Sequence, residues 1–113
     1  MVIDVTFCDV DDLEEITGLT HNELWKNGFN LDDCDAVMII DEKDLSLKKV
    51  ETLTYANGTP EYKWVPEEDI WDLYWTNKIS RGLYDILDNW ENYCAGCWYT
   101  KYNGKVYISK HHA

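Results

Sequence analysis

Cys94 and Cys97 are separated by two residues, the spacing at which paired thiols share a zinc ion or cycle through a disulfide. A structural zinc site needs four donors. The others available are Cys8, Cys34, His21, His111 and His112, and none of them forms a second pair at knuckle spacing. A redox pair belongs at the start of a helix, where the dipole lowers a thiol pKa, whereas this pair follows a helical pattern and leads into a strand. In a reducing compartment these cysteines are expected as free, partly buried thiols, with no metal and no cofactor. His111 and His112 read as a mobile tail, and His21 as solvent-facing. The run Asp9–Glu15 fails as a calcium loop, because Leu13 and Glu14 stand where an oxygen ligand and a glycine are required. There is no glycine-rich phosphate loop and no nucleophile elbow, and nothing singles out one carboxylate as a perturbed acid or base. The expectation is a protein that is not an enzyme, with a small metal or redox module on Cys94 and Cys97 as an alternative.

Carboxylates are the abundant chemical group. Asp9, Asp11, Asp12, Glu14 and Glu15 crowd one cap and one helical turn, Glu23 follows in the next helix, and Asp32, Asp33 and Asp35 precede an apolar strand. Asp85, Asp88 and Glu91 recur at helical spacing, where side chains three or four residues apart lie about 5–6 Å from each other. Fixed arrays of this kind imitate a run of phosphates and raise association rates with a basic groove about 10–1,000-fold at low salt. Affinity also needs desolvated anchors, usually aromatic. Trp25, Trp71 and Trp75 are the candidates, either as such anchors or as part of the core.

These residues must be positioned by short elements. Val2–Phe7 alternates as a strand, with Ile3, Val5 and Phe7 on one face. Asp11 or Asp12 caps a helix through Thr17, and Gly18 ends it. Thr20 and Glu23 form a capping box that opens a helix over His21–Asn27, stopped by Gly28. Ala36–Asp41 is a continuous apolar run suited to burial on both faces. Lys48–Ala56 and Glu61–Val65 form a hairpin through Asn57-Gly58 of type I′, with Pro60 placing the return strand at a sheet edge. Pro66 then enters the first turn of a helix whose buried stripe is Ile70, Leu73 and Tyr74. Leu83, Ile86, Leu87 and Trp90 mark the next helix, extended back by Ile79, with Arg81-Gly82 as a kink or break. Cys97–Tyr102 and Lys105–Lys110 close a second hairpin at Asn103-Gly104. The pattern predicts a single acidic α+β domain over residues 1–113. It has a small mixed or antiparallel sheet with two Asn-Gly hairpins, two longer helices of the C-terminal half packed on one face, and two short N-terminal helices.

The totals sharpen this. The chain has 113 residues, 22 acids and 10 bases, for a net charge of −12. Residues 1–44 hold 13 acids against two lysines, and residues 67–91 hold seven acids against Lys78 and Arg81. By contrast the two hairpins are near neutral or basic, and residues 92–113 carry three lysines and no acid. Solubility alone gives no reason for such segregation. No apolar run is long enough to span a bilayer, and the N-terminus lacks a signal-peptide pattern, so a cytoplasmic protein without membrane contact is expected.

Gly18, Leu19 and Leu24 resemble the apolar skeleton of a helix-turn-helix, but the segment carries acids where a DNA reader carries lysine and arginine. Direct nucleic-acid binding by it is not expected. In size, charge and lack of a catalytic motif the chain resembles small acidic, often phage-encoded inhibitors of nucleic-acid enzymes, the anti-CRISPR and anti-restriction proteins. That resemblance is one of class and carries no residue over by homology. It implies occlusion of a partner's basic channel in a host cell, with Asp9, Asp11, Asp12, Glu14, Glu15, Glu23, Trp25, Asp32, Asp33, Asp35, Asp85, Asp88 and Glu91 as the contact residues. An immunity protein or antitoxin that caps a basic nuclease or toxin is the alternative of the same physical kind.

Overall fold

The apolar run at Val37–Ile40 needs cover on both sides, and the fold supplies it with a helical layer on each face of a sheet. The computed structural model describes residues 5–54, 56–58, 60–93 and 95–112. Its strands are β1 (Thr6–Cys8), β2 (Cys34–Asp41), β3 (Leu47–Thr54), β4 (Pro60–Pro66), β5 (Gly96–Tyr102) and β6 (Lys105–His111). Its helices are α1 (Leu13–Thr17), α2 (His21–Lys26), α3 (Ile70–Trp75) and α4 (Arg81–Glu91), with a 3₁₀ turn at Val10–Asp12 leading into α1. The strands form one antiparallel sheet in the order β1-β2-β6-β5-β4-β3. The architecture is α+β.

Side chains alternate along a strand, and β2 uses both sets. Met38 and Ile40 join Val106, Ile108 and Tyr99 under α3 and α4, whose Ile70, Leu73, Leu83, Leu87 and Trp90 are buried there. Val37 and Ile39 join Tyr107 on the other face, under Leu13 of α1, Leu24 of α2 and Phe29. The stripe of α4 is the clearest link from sequence to packing. Leu83 and Leu87 are wholly buried, each contributing about 1.5–3 kcal/mol relative to an exposed position. Ser80 starts that helix by accepting the Leu83 amide through its hydroxyl, at 3.1 Å.

Local chemistry explains most boundaries. Thr20 Oγ1 accepts the Glu23 amide at 3.2 Å while Glu23 Oε1 accepts the Thr20 amide at 3.0 Å, so the capping box is complete. At the second hairpin Tyr102 pairs with Lys105, and the two residues between them, Asn103 and Gly104, have φ of 51° and 79° as a type I′ turn requires.

Several expectations change. At the first hairpin Thr54 pairs with Pro60, so the loop is longer than two residues and is not the type I′ turn read from Asn57-Gly58; Gly58 has φ of 86° within it. Pro60 does not mark an edge strand: β3 is the edge, and β4 lies between β3 and β5. Among the described residues β4 pairs with β5 only at Trp64–Tyr99. Pro60 therefore lies where β4 has parted from β5, and its missing N–H interrupts no ladder there. Pro66 ends β4 instead of opening α3, which is capped by Asp69 accepting the Trp71 amide at 2.9 Å. The break between α3 and α4 comes before Arg81, across residues 76–80, where Asn77 has φ of 61°. The first strand is Thr6–Cys8 where Val2–Phe7 was expected; residues 2–4 lie outside the described residues. His111 is not in a mobile tail. It is a buried residue of β6, with its Nδ1 2.6 Å from the Asp32 carbonyl oxygen.

Candidate partner-binding surface

The first acid block forms where β1 turns into the 3₁₀ turn and α1. Only Leu13 of α1 is buried, so Asp9, Asp11, Asp12, Glu14 and Glu15 all face solvent. Asp9 and Asp12 form a capping box at the 3₁₀ turn, in which Asp12 Oδ2 accepts the Asp9 amide at 3.1 Å. Among the described residues none of the five is in an ion pair. Glu14 and Glu15 lie in the first turn of α1, where the helix dipole favours negative charge and offsets part of their mutual repulsion.

The second acid row is on α4, in the opposite helical layer. Asp85 and Asp88 are exposed, and Asp85 is held by Arg81 one turn earlier at 3.2 Å. Glu91 is exposed but engaged: it accepts the Tyr99 hydroxyl at 2.5 Å, so it serves the fold more than the row. The two blocks flank the edge strand β1. Phe7 of β1 packs on Trp90 of α4 with ring centroids 6.1 Å apart, and an open hollow of about 330 Å³ is lined by Phe7, Asp85, Ile86, Asn89 and Trp90. Phe7 is 55% exposed, and the chain runs from it directly to Asp9. An exposed phenyl thus shares a hollow with Asp85 of the second acid row and precedes the first acid block in the chain.

The other candidate acids are spread over the structure. Asp35 is engaged: its carboxylate accepts the Tyr93 hydroxyl at 2.6 Å and meets His112 Nδ1 at 2.7 Å. The Tyr93 hydrogen bond, followed by that of His112, holds its carboxyl below the usual carboxylate range. Asp32 and Asp33 have exposed side chains, and their backbone carbonyls anchor His111 and His112. Glu23 is committed to its capping box, whose backbone hydrogen bond from Thr20 lowers its pKa.

Trp71 and Trp75 are 53% and 62% exposed, and Trp25 is 40% exposed. Trp71 and Trp75 meet edge-on at 5.5 Å, and Trp71 also touches Tyr84, which stacks on Tyr74 at 4.9 Å. Desolvation raises the Tyr84 pKa, and the nearby charges of Asp88 and Asp85 add to it, so the aromatic cluster and the α4 acid row are neighbours. Trp25 Nε1 donates to His21 Nε2 at 3.2 Å. Exposed aromatics beside charge are how a protein-binding patch is anchored.

Cys94 lies outside the described residues. Cys97 is half-buried, and its thiol is pushed up to about 12 by burial and then by Glu91, which leaves it a poor nucleophile and a poor metal ligand. Among the described residues no three His, Cys, Asp or Glu side chains are grouped to hold a metal ion, and no helix is long and apolar enough to cross a membrane.

No family model matches this chain. No curated protein and no solved structure matches it either. The site is therefore read from its own chemistry.

Two features escaped the sequence reading. Phe7 was grouped with Ile3 and Val5 on one strand face; its exposure follows from β1 being a three-residue edge strand that α4 only partly covers. The second is a concentration of lysines on the β3–β5 side of the sheet, which the near-neutral and basic charge of the hairpins hinted at. Lys49 lies over Trp64 and Lys63 over Trp98, each ammonium 5.1 Å from the ring centroid.

Proposed function

We propose that this protein is an inhibitor that works by occupancy: it offers fixed carboxylates to the basic nucleic-acid-binding channel of a partner enzyme and so excludes the nucleic acid. The observation that carries this reading is the set of five exposed carboxylates at Asp9, Asp11, Asp12, Glu14 and Glu15, free of ion pairs among the described residues and following the exposed ring of Phe7 along the chain. A phosphate-like array beside an apolar anchor combines long-range steering with a desolvated contact. Asp85 and Asp88, with Trp71 and Trp75, extend the same chemistry along α3 and α4. Turnover and a cofactor have no part in this mechanism. Anti-CRISPR and anti-restriction inhibitors are the class it resembles.

The test is capture on the immobilised chain from a nuclease-treated lysate of the encoding organism, followed by DNA competition. A basic nucleic-acid enzyme should be retained, and duplex DNA should displace it competitively. If the captured protein binds DNA undiminished while the chain is attached, occlusion is wrong. A secreted or chain-damaging nuclease as the captured protein would make the chain an immunity protein or antitoxin acting by the same contacts.

A further inference from the structure

The basic hairpins have no role in the acid surface, and their lysines converge. A groove of about 440 Å³ forms where β3, β4 and β5 meet the end of α2, lined by Lys49, Lys63 and Lys101 with Tyr62, Trp64 and Trp98. Lys26 and Gly28 complete its rim. Four of the chain's ten basic residues line this groove, and none of its lining residues is acidic, in a chain with 22 acids. Its volume lies in the range of small-molecule sites, about 300–1,000 Å³.

The two indoles lie on opposite faces of the sheet: Trp64 pairs with Tyr99 and packs with the α3–α4 cluster, Trp98 faces α2, and the groove reaches both where β4 leaves β5. Trp98 Nε1 donates to the Gly28 carbonyl at 2.7 Å, and the Thr100 hydroxyl donates to the same oxygen at 2.9 Å. Trp64 and Trp98 are both half-buried, and their faces are occupied by ammonium groups: Lys49 at 5.1 Å and Lys101 at 5.7 Å over Trp64, Lys63 at 5.1 Å over Trp98. Lys101 also reaches Glu42 at 3.4 Å, but among the described residues no carboxylate pairs with Lys49 or Lys63. Lys49 and Lys63 thus rest on indoles, with no ion pair to a carboxylate among the described residues.

We infer that this groove binds a phosphorylated nucleoside, free or as an unpaired unit of a single strand, with the base stacked on an indole and the phosphate taken by the lysines displaced from it. Both halves of that ligand match what the groove presents: a π-face for Trp64 or Trp98, and a charge for Lys49 and Lys63. An acidic peptide would use the lysines and leave the rings unused. A second copy of the chain brings another net charge of −12, which opposes association. The same field disfavours a long polyanion, so the ligand is short. The inference stands independently of the occlusion reading, since it uses none of the acid surface.

The test titrates the ¹⁵N-labelled full chain with adenosine 5′-monophosphate, and separately with a 5′-phosphorylated hexathymidylate, following the tryptophan indole signals. Saturable shifts are expected at Trp64 and Trp98 and not at Trp71 or Trp75, with half-saturation below about 1 mM. Lys49→Glu and Lys63→Glu should each weaken binding about tenfold, with an unchanged spectrum in the absence of ligand. Tighter binding of the hexamer identifies a strand as the source; equal or weaker binding identifies the free nucleotide. The inference is overturned if neither probe saturates by about 10 mM, or if inorganic phosphate alone moves both indoles equally. It is also overturned if a polyglutamate peptide binds more tightly than both probes, or if the shifts follow protein concentration with a doubling of sedimenting mass.

Discussion

Neutralising Asp11, Asp12, Glu14 and Glu15 together, as Asp11→Asn, Asp12→Asn, Glu14→Gln and Glu15→Gln, removes four of the charges behind the net −12 and leaves the backbone with what it needs. The side chains are exposed, and an asparagine at position 12 can still accept the Asp9 amide. Stability should therefore stay within about 0.5 kcal/mol of the parent, as for ordinary surface changes. Binding should not. A carboxylate and an ammonium about 4 Å apart in water gain about 1 kcal/mol, and measured exposed pairs retain about 0.2–1 kcal/mol. Four contacts in the middle of that range sum to about 2 kcal/mol, or roughly 30-fold in Kd. Rim charges act mainly on the encounter, so most of the loss should appear in the association rate. Surface plasmon resonance against the captured partner, at about 50 and 200 mM salt, separates the terms. The parent should weaken steeply with salt and the variant much less. An unchanged low-salt association rate in a folded variant would take these residues out of the interface, and an equal loss at both salts would refute an electrostatic role.

Trp71→Ala and Trp75→Ala should each cost about 2 kcal/mol or more in partner affinity if they are anchors, while their 53% and 62% exposure keeps the stability loss small; calorimetry on binding and on unfolding reads both. Leu87→Ala, at a wholly buried position of α4, should lose about 2–5 kcal/mol in urea denaturation. Thr20→Ala removes the hydroxyl that accepts the Glu23 amide and should cost about 1 kcal/mol, seen as a lower Tm. Asp35 has a folded-state pKa below its unfolded value, so its contribution is fully present above about pH 4 and is lost as pH falls through the lowered pKa. Asp35→Asn should accordingly flatten the acid limb of Tm against pH. Alkylation of Cys97 by iodoacetamide at pH 8 should be slow in the native protein, because a thiol at about 12 is thiolate on the order of one part in 10⁴.

What could be read from the sequence depended on range. The stripe Leu83–Leu87–Trp90, the Thr20–Glu23 box and the turn at Asn103-Gly104 are each set by neighbours within a few residues, and each formed as expected. The double burial of β2 was also legible, because a strand with no polar face cannot face water. The strand order was not, since β2 pairs with β6 and not with β3, a choice made by contacts far apart in sequence. Pro60 misled for the same reason: its cost depends on where β4 leaves β5, which no local rule states. The acid blocks were visible as counts, yet the hydrogen bonds that engage Glu91 and Asp35 needed Tyr99 and Tyr93 beside them. The lysine groove was hidden because Lys49, Lys63 and Lys101 belong to three different strands and meet only through the sheet.

The place of β6 between β2 and β5 bears on how the chain matures. Both apolar clusters take residues from β6, Val106 and Ile108 in one and Tyr107 in the other, so neither closes until residues 105–111 have left the ribosome. The β3–β4 hairpin can form earlier from its own contacts. The remaining sheet must wait for its last strand, and until then both apolar faces of β2 lack part of their cover.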